Sequence, residues 1–101
     1  IVPFITHVFT SKEKLIKAVD LYVVNPSAFC YAIRYWDVSQ ITDFSEVFSG
    51  QRNPALRRFN EDLTEWNVSN GIDFSYMFYY CHSFNGDVSV WNVSEGTNFS
   101  C

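Results

Sequence analysis

The chain has 101 residues, enough for one domain with a core that folds alone. Hydrophobic residues make up 48% and charged residues 18%, which excludes a disordered tail. Eleven acids against seven bases leave a net charge of −4, and Arg57-Arg58 is the only adjacent basic pair. The concentrated positive field that nucleic acid requires is therefore missing.

In chain order, the first predicted element is a helix over residues 11–24. Thr10-Ser11-Lys12-Glu13 fits a capping box, with Thr10 as N-cap and Glu13 reaching back. Leu15, Ile16, Val19, Tyr22 and Val23 form one apolar stripe, while Lys12, Lys14 and Lys17 face water. Asn25-Pro26 ends the helix. The uncharged run Leu21 to Ile33 is broken by Asn25, Pro26 and Ser27 and is too short to span a bilayer, so no transmembrane segment is expected. No signal-peptide pattern is visible. The chain opens on Ile1 and stops at Cys101 inside a repeat, which reads as a fragment or processed piece.

The rest is repetitive. Trp36-Asp37-Val38-Ser39 recurs as Trp66-Asn67-Val68-Ser69 and Trp91-Asn92-Val93-Ser94, with the tryptophans 30 and then 25 residues apart. Each phrase is followed by Asp43-Phe44-Ser45, Asp73-Phe74-Ser75 or Asn98-Phe99-Ser100. Phe59-Asn60-Glu61-Asp62-Leu63 and Phe84-Asn85-Gly86-Asp87-Val88 precede the second and third tryptophans. Repeats of about residues 30–58, 59–83 and 84–101 follow, the last incomplete, within a single domain over 1–101. The first repeat carries five extra residues within Gly50–Arg58, which predicts an outward surface loop.

Within a repeat, Asp62-Leu63-Thr64-Glu65-Trp66 and Asp87-Val88-Ser89-Val90-Trp91 read as short strands. Phe44, Val47 and Phe48, repeated as Phe74, Met77 and Phe78, are spaced as one face of a short helix or 3₁₀ turn, with Asp43 and Asp73 placed to cap it. The expected fold is an α/β solenoid: a short right-handed stack of one parallel strand and one short helix per repeat, closed at its amino end by the predicted helix.

These residues resemble the BspA-type leucine-rich-repeat surface proteins, in the branch with W-[DN]-V-S and F-N-x-D repeats. The likeness covers residues 33–101, and Phe9 to Asp20 is similar to the amino-terminal cap of members from microbial eukaryotes. It implies a leucine-rich-repeat-like stack and a secreted or surface-displayed protein that works by binding. Gly71 and Gly96 depart from the pattern, standing where Ile41 stands in the first repeat.

Several residues are candidates for function. Asp62, Thr64, Asp87 and Ser89 alternate on the predicted strand face and form the expected partner surface. Asn67, Asn92 and Asn98 each open an N-glycosylation acceptor pattern. Trp36, Trp66 and Trp91 read as core, or as a stacking platform for a flat ligand such as a sugar. The Asp/Asn ladders read as turn hydrogen bonding, or as calcium ligands. Cys30, Cys81 and Cys101 lack zinc or redox spacing and read as buried thiols, or as disulfide partners in an oxidising compartment. His7 and His82 have no nucleophile arranged beside them in sequence, and no phosphate loop appears, so neither an enzyme nor a cofactor or metal site is expected.

The functional expectation is a non-enzymatic protein-interaction or adhesion module, at a cell surface or secreted, with an unknown protein or cell-surface partner and self-association through an uncapped carboxyl end. A structural spacer, or a calcium- or glycan-binding module, is the alternative.

Overall fold

The first helix forms where the apolar spacing places it. Helix α1 spans Lys12–Val24 and buries Leu15, Val19 and Tyr22. In this computed structural model the described residues are 8–29, 32–86 and 88–98. The N-cap is Ser11, not Thr10, and its side chain accepts from the Lys14 N–H at 3.3 Å. Ser11 has an oxygen within reach of the third residue on, which is all the cap requires. Lys12 does not simply face water: its Nζ donates to Ser45 Oγ at 2.7 Å and lies 3.3 Å from an Asp43 carboxylate oxygen.

The expected α/β solenoid is not what forms. Among the described residues there is one α-helix, with 3₁₀ turns at Pro26–Ala28, Ile33–Tyr35 and Pro54–Arg58, and no strand or sheet. The described parallel contacts are the isolated bridges Val8–Asp37, Asp43–Asp73 and Asp73–Asn98. The chain is a globule with a radius of gyration of 13.0 Å, the value usual for about 100 residues.

The missing strands have a local cause. Asp62 Oδ1 accepts from the Thr64 N–H at 2.8 Å, and the Trp66 N–H donates to the Leu63 carbonyl at 3.0 Å. Donors that a sheet ladder needs are thus spent inside the segment, which curls into a turn. The same i→i+3 bond joins Trp91 to Val88.

The short helices fail for the opposite reason. The N–H groups of Phe44, Glu46, Phe48 and Gly50 donate across to the carbonyls of Asp73, Ser75, Met77 and Tyr79 at 2.7–3.1 Å. Every second donor is therefore taken by the next repeat. Glu46 sits in the left-handed region at φ 61°, and its counterpart Tyr76 at φ 56°, which halts any helical run.

Successive repeats nevertheless pack in register. Phe44 stacks on Phe74 with centroids 5.5 Å apart, and Phe48 on Phe78 at 5.4 Å, each pair within 7° of parallel. Phe59 lies over Phe84 in the same way. Trp66 Nε1 donates to the Ile33 carbonyl at 2.7 Å, and Trp91 Nε1 to the Leu63 carbonyl at 2.9 Å. Gly71 keeps the first stack intact, since a Cβ there would run into Phe74 Cζ and meet Phe44 Cδ2 at 2.9 Å. Ile41, the counterpart of Gly71 in the first repeat, is buried instead.

The five-residue insertion is a tether as well as a surface loop. Leu56 within it is fully buried. Arg52 Nη1 donates to both Asp20 oxygens at 3.0 and 2.9 Å, and Asn53 Nδ2 donates to Asp20 Oδ1 at 2.8 Å. Arg52 also donates to the Glu46 and Val47 carbonyls. The insertion thereby fastens α1 to the first repeat.

Candidate functional site

The expected partner face loses its strand and keeps its charge. Asp62 is exposed, and its Oδ1 holds both the Thr64 N–H and hydroxyl, at 2.8 and 2.7 Å. Its other oxygen lies 3.5 Å from Arg34 Nη2, which bonds Glu65 Oε2 at 2.6 Å. The Thr64 hydroxyl and backbone bonds hold the Asp62 carboxyl below its ordinary range, against the small effect of burial. Thr64 is half-buried and Ser89 exposed, while Asp87 lies outside the described residues. Asp62 and Thr64 are therefore one closed turn edged by an Arg34–Glu65 pair, with no flat strand surface for them to line.

The Asp and Asn ladders work the same way. Asp37, Asp43 and Asp73 each accept from the N–H and hydroxyl of the serine two residues on, at 2.6–3.0 Å. Asn67 does so with Ser69, and Asn92 accepts from the Ser94 N–H. The Ser39 hydroxyl and N–H hold the Asp37 carboxyl low. At Asp43 burial is the largest single effect and pushes the carboxyl up, but the Ser45 bonds and Lys12 together outweigh it and bring it low. Among the described residues, no group of three or more His, Cys, Asp or Glu is gathered as metal ligands would be. Asn67 and Asn92 are exposed, as is Asn98, whose carbonyl accepts from the Phe74 N–H at 2.8 Å.

Trp36 and Trp66 are core and not a platform, at 2% and 3% exposed, while Trp91 is half-buried. Trp36 is ringed by Phe9, Tyr22 and Phe29 at 5.0–5.4 Å. Cys81 is buried, donates its Sγ–H to the Leu56 carbonyl at 3.1 Å, and has its thiol pushed up to about 11 by burial. Cys30, Cys101 and His7 lie outside the described residues. A shallow cleft of about 240 Å³ opens between Tyr22, Pro26, Phe59 and Arg58. There the Tyr22 hydroxyl donates to Glu61 Oε1 at 2.9 Å, and burial raises the Tyr22 phenol.

The surface that stands out is the end of the third repeat. Positions that are closed in the first two repeats open there. Val38 and Val68 are buried and Val93 is half-buried; Trp36 and Trp66 are buried and Trp91 is half-buried. Phe78 is likewise half-buried where Phe48 is fully covered. Val90 is 66% exposed, at the position that Glu65 and Tyr35 occupy in the earlier repeats. Val88, Val90, Trp91 and Val93 thus form a run of open apolar side chains. Sequence reasoning missed Val90; the signal was an aliphatic residue at a position held by Tyr35 and Glu65 in the earlier repeats.

No helix among the described residues is long and apolar enough to cross a membrane. Residues 6–101 match the family described as Mycoplasma protein of unknown function, DUF285, and the chain belongs to that family. No curated protein and no solved structure matches it.

Proposed function

We infer that this member of the DUF285 family is a non-enzymatic interaction module, displayed at a cell surface or secreted, and that the end of its third repeat is a face that packs against further protein, whether a following repeat or a second chain. The observation that carries this reading is the graded burial of equivalent residues, from closed at Trp36 and Val38 to half-open at Trp91 and Val93. Burying open aliphatic and aromatic area is the usual source of association energy, at about 25 cal/mol per Å². The rings beneath this end are preorganised, with Phe78 and Phe84 stacked at 4.3 Å. The W-[DN]-V-S and F-N-x-D repeats, which resemble those of BspA-type surface proteins, support the location and the binding role.

A second copy of the chain is the simplest partner for such a face. Light scattering over a rising concentration series tests this. The expected result is a mean mass that climbs with concentration, and a Val90→Lys variant that stays monomeric with an unchanged melting temperature. A parent chain that stays monomeric throughout overturns self-association and favours the spacer reading.

A further inference from the structure

The second repeat carries an outward row of rings that the core does not use. Tyr76 and Tyr80 are 43% and 45% exposed. Tyr76 meets Tyr79 edge-on at 5.1 Å, Tyr79 meets Tyr80 at 4.4 Å, and Tyr80 meets His82 at 5.5 Å. The four rings therefore make one continuous aromatic ridge.

The backbone beneath the ridge is the second observation. Tyr80 has φ 56°, a left-handed conformation that is unfavourable for any residue with a Cβ and rare for a bulky one. Tyr76 shares its left-handed turn with its counterpart Glu46, so that turn belongs to the repeat. Tyr80 does not: its counterpart is Gly50, and no described glycine takes a positive φ. Glycine would relax the backbone at residue 80, yet a large and half-open ring stands there. Strain of this kind gathers at ligand-binding positions.

Charge gives the ridge a direction. A Cβ on Gly50 would run into the Tyr80 backbone carbonyl and meet Arg57 Cγ at 2.8 Å, so the Arg57 stem lies beside the Tyr80 backbone. The Ser83 N–H donates to the Arg57 carbonyl, which ties the His82 end to the insertion. Arg34 and Arg52 are ion-paired, whereas Arg57 is exposed and makes no ion pair among the described residues. At the other end Glu46 lies beside Tyr76, its N–H donating to the Ser75 carbonyl.

We propose that Tyr76, Tyr79, Tyr80 and His82, with Arg57, form a binding site for a pyranose sugar bearing a carboxylate. The tyrosine faces take the C–H face of the ring, and the Arg57 guanidinium takes the carboxylate in a charge-assisted pair. Glu46 sets the orientation by repelling the acid from the Tyr76 end. The site uses none of Val88, Val90, Trp91 or Val93, so sugar binding and self-association are read separately.

The test is an NMR titration of the tyrosine ring signals with methyl glucuronide and with methyl glucoside, which lacks the carboxylate. The uronide is expected to shift the Tyr76, Tyr79 and Tyr80 signals at millimolar concentration, roughly tenfold more tightly than the glucoside. Arg57→Ala should bring the uronide down to the glucoside's level. Tyr80→Gly should abolish the shifts while melting no lower than the parent, which separates a lost ligand from a lost fold. The proposal is overturned if neither sugar shifts the rings, if both bind equally to the parent, or if both variants bind as the parent does. It is equally overturned if a proline-rich peptide shifts the rings and the sugars do not.

Discussion

Replacing Trp66 by Phe removes the contact that joins the first two repeats most directly. The indole is 3% exposed, donates to the Ile33 carbonyl at 2.7 Å, and lies 5.4 Å from the Phe48 ring. Losing the donor leaves the Ile33 carbonyl with only the Trp36 N–H, at 3.1 Å, and costs the net worth of one hydrogen bond, about 1 kcal/mol. The smaller ring leaves a void, adding about 1 kcal/mol. The sum, about 2 kcal/mol, lowers the melting temperature by roughly 10 °C in a domain of this size. Trp91→Phe is the internal control. Its bond to the Leu63 carbonyl is similar at 2.9 Å, but the ring is half-buried and water can replace the lost donor. That variant should lose only about 1 kcal/mol, or roughly 5 °C. Thermal melts followed by far-ultraviolet circular dichroism avoid any dependence on tryptophan emission. Equal losses in the two variants, or a loss below about 0.5 kcal/mol at Trp66, would refute the reasoning.

Gly71→Ala should destabilise by about 1–3 kcal/mol, because the added methyl lands on the stacked Phe44 and Phe74 rings; a neutral urea-unfolding midpoint would count against the close approach. Acid should unfold the protein through its Asx turns. The Asp37, Asp43 and Asp62 carboxyls are lower in the fold than in the free chain. Their contribution is present above the unfolded value of about 3.9 and fades as pH falls through the folded values. Urea midpoints should hold from neutral to about pH 5 and drop below about pH 4. Asp37→Asn, which installs the residue found at Asn67 and Asn92, should blunt that drop, and an unchanged acid limb in this variant would contradict the assignment. In a background with Cys30 and Cys101 replaced by Ser, Cys81 should react with a disulfide reagent at pH 8 only as fast as the protein opens, since burial pushes its thiol up to about 11. Rapid labelling in the native state would show that the Leu56 bond does not hold it.

The register of the repeats was legible because two phrases recur with large rings at fixed offsets. Those rings do stack, Phe44 on Phe74 and Phe48 on Phe78. Helix α1 was legible from its stripe, to within one residue at its cap. The interior of each repeat was not legible. Alternation at Asp62 to Trp66 pointed to a strand, but an aspartate two residues ahead of an N–H can take that donor locally, and it does. The i, i+3, i+4 spacing at Phe44, Val47 and Phe48 pointed to a helix, and nothing in the identity of Glu46 announces φ 61°. The insertion was visible as extra length, but the pairing of Arg52 with Asp20 depends on how α1 folds back. The tyrosine ridge was present in the letters Tyr76, Tyr79 and Tyr80. What hid it was that Phe74, Met77 and Phe78, interleaved with it, belong to the core.

The most direct measurement of the third-repeat face is amide hydrogen exchange compared between dilute and concentrated protein. Association through this end predicts that exchange slows with concentration at Val88–Val93 and stays unchanged along Lys12–Val24. Concentration-independent exchange at Val88–Val93, or slowing confined to α1, would contradict the account.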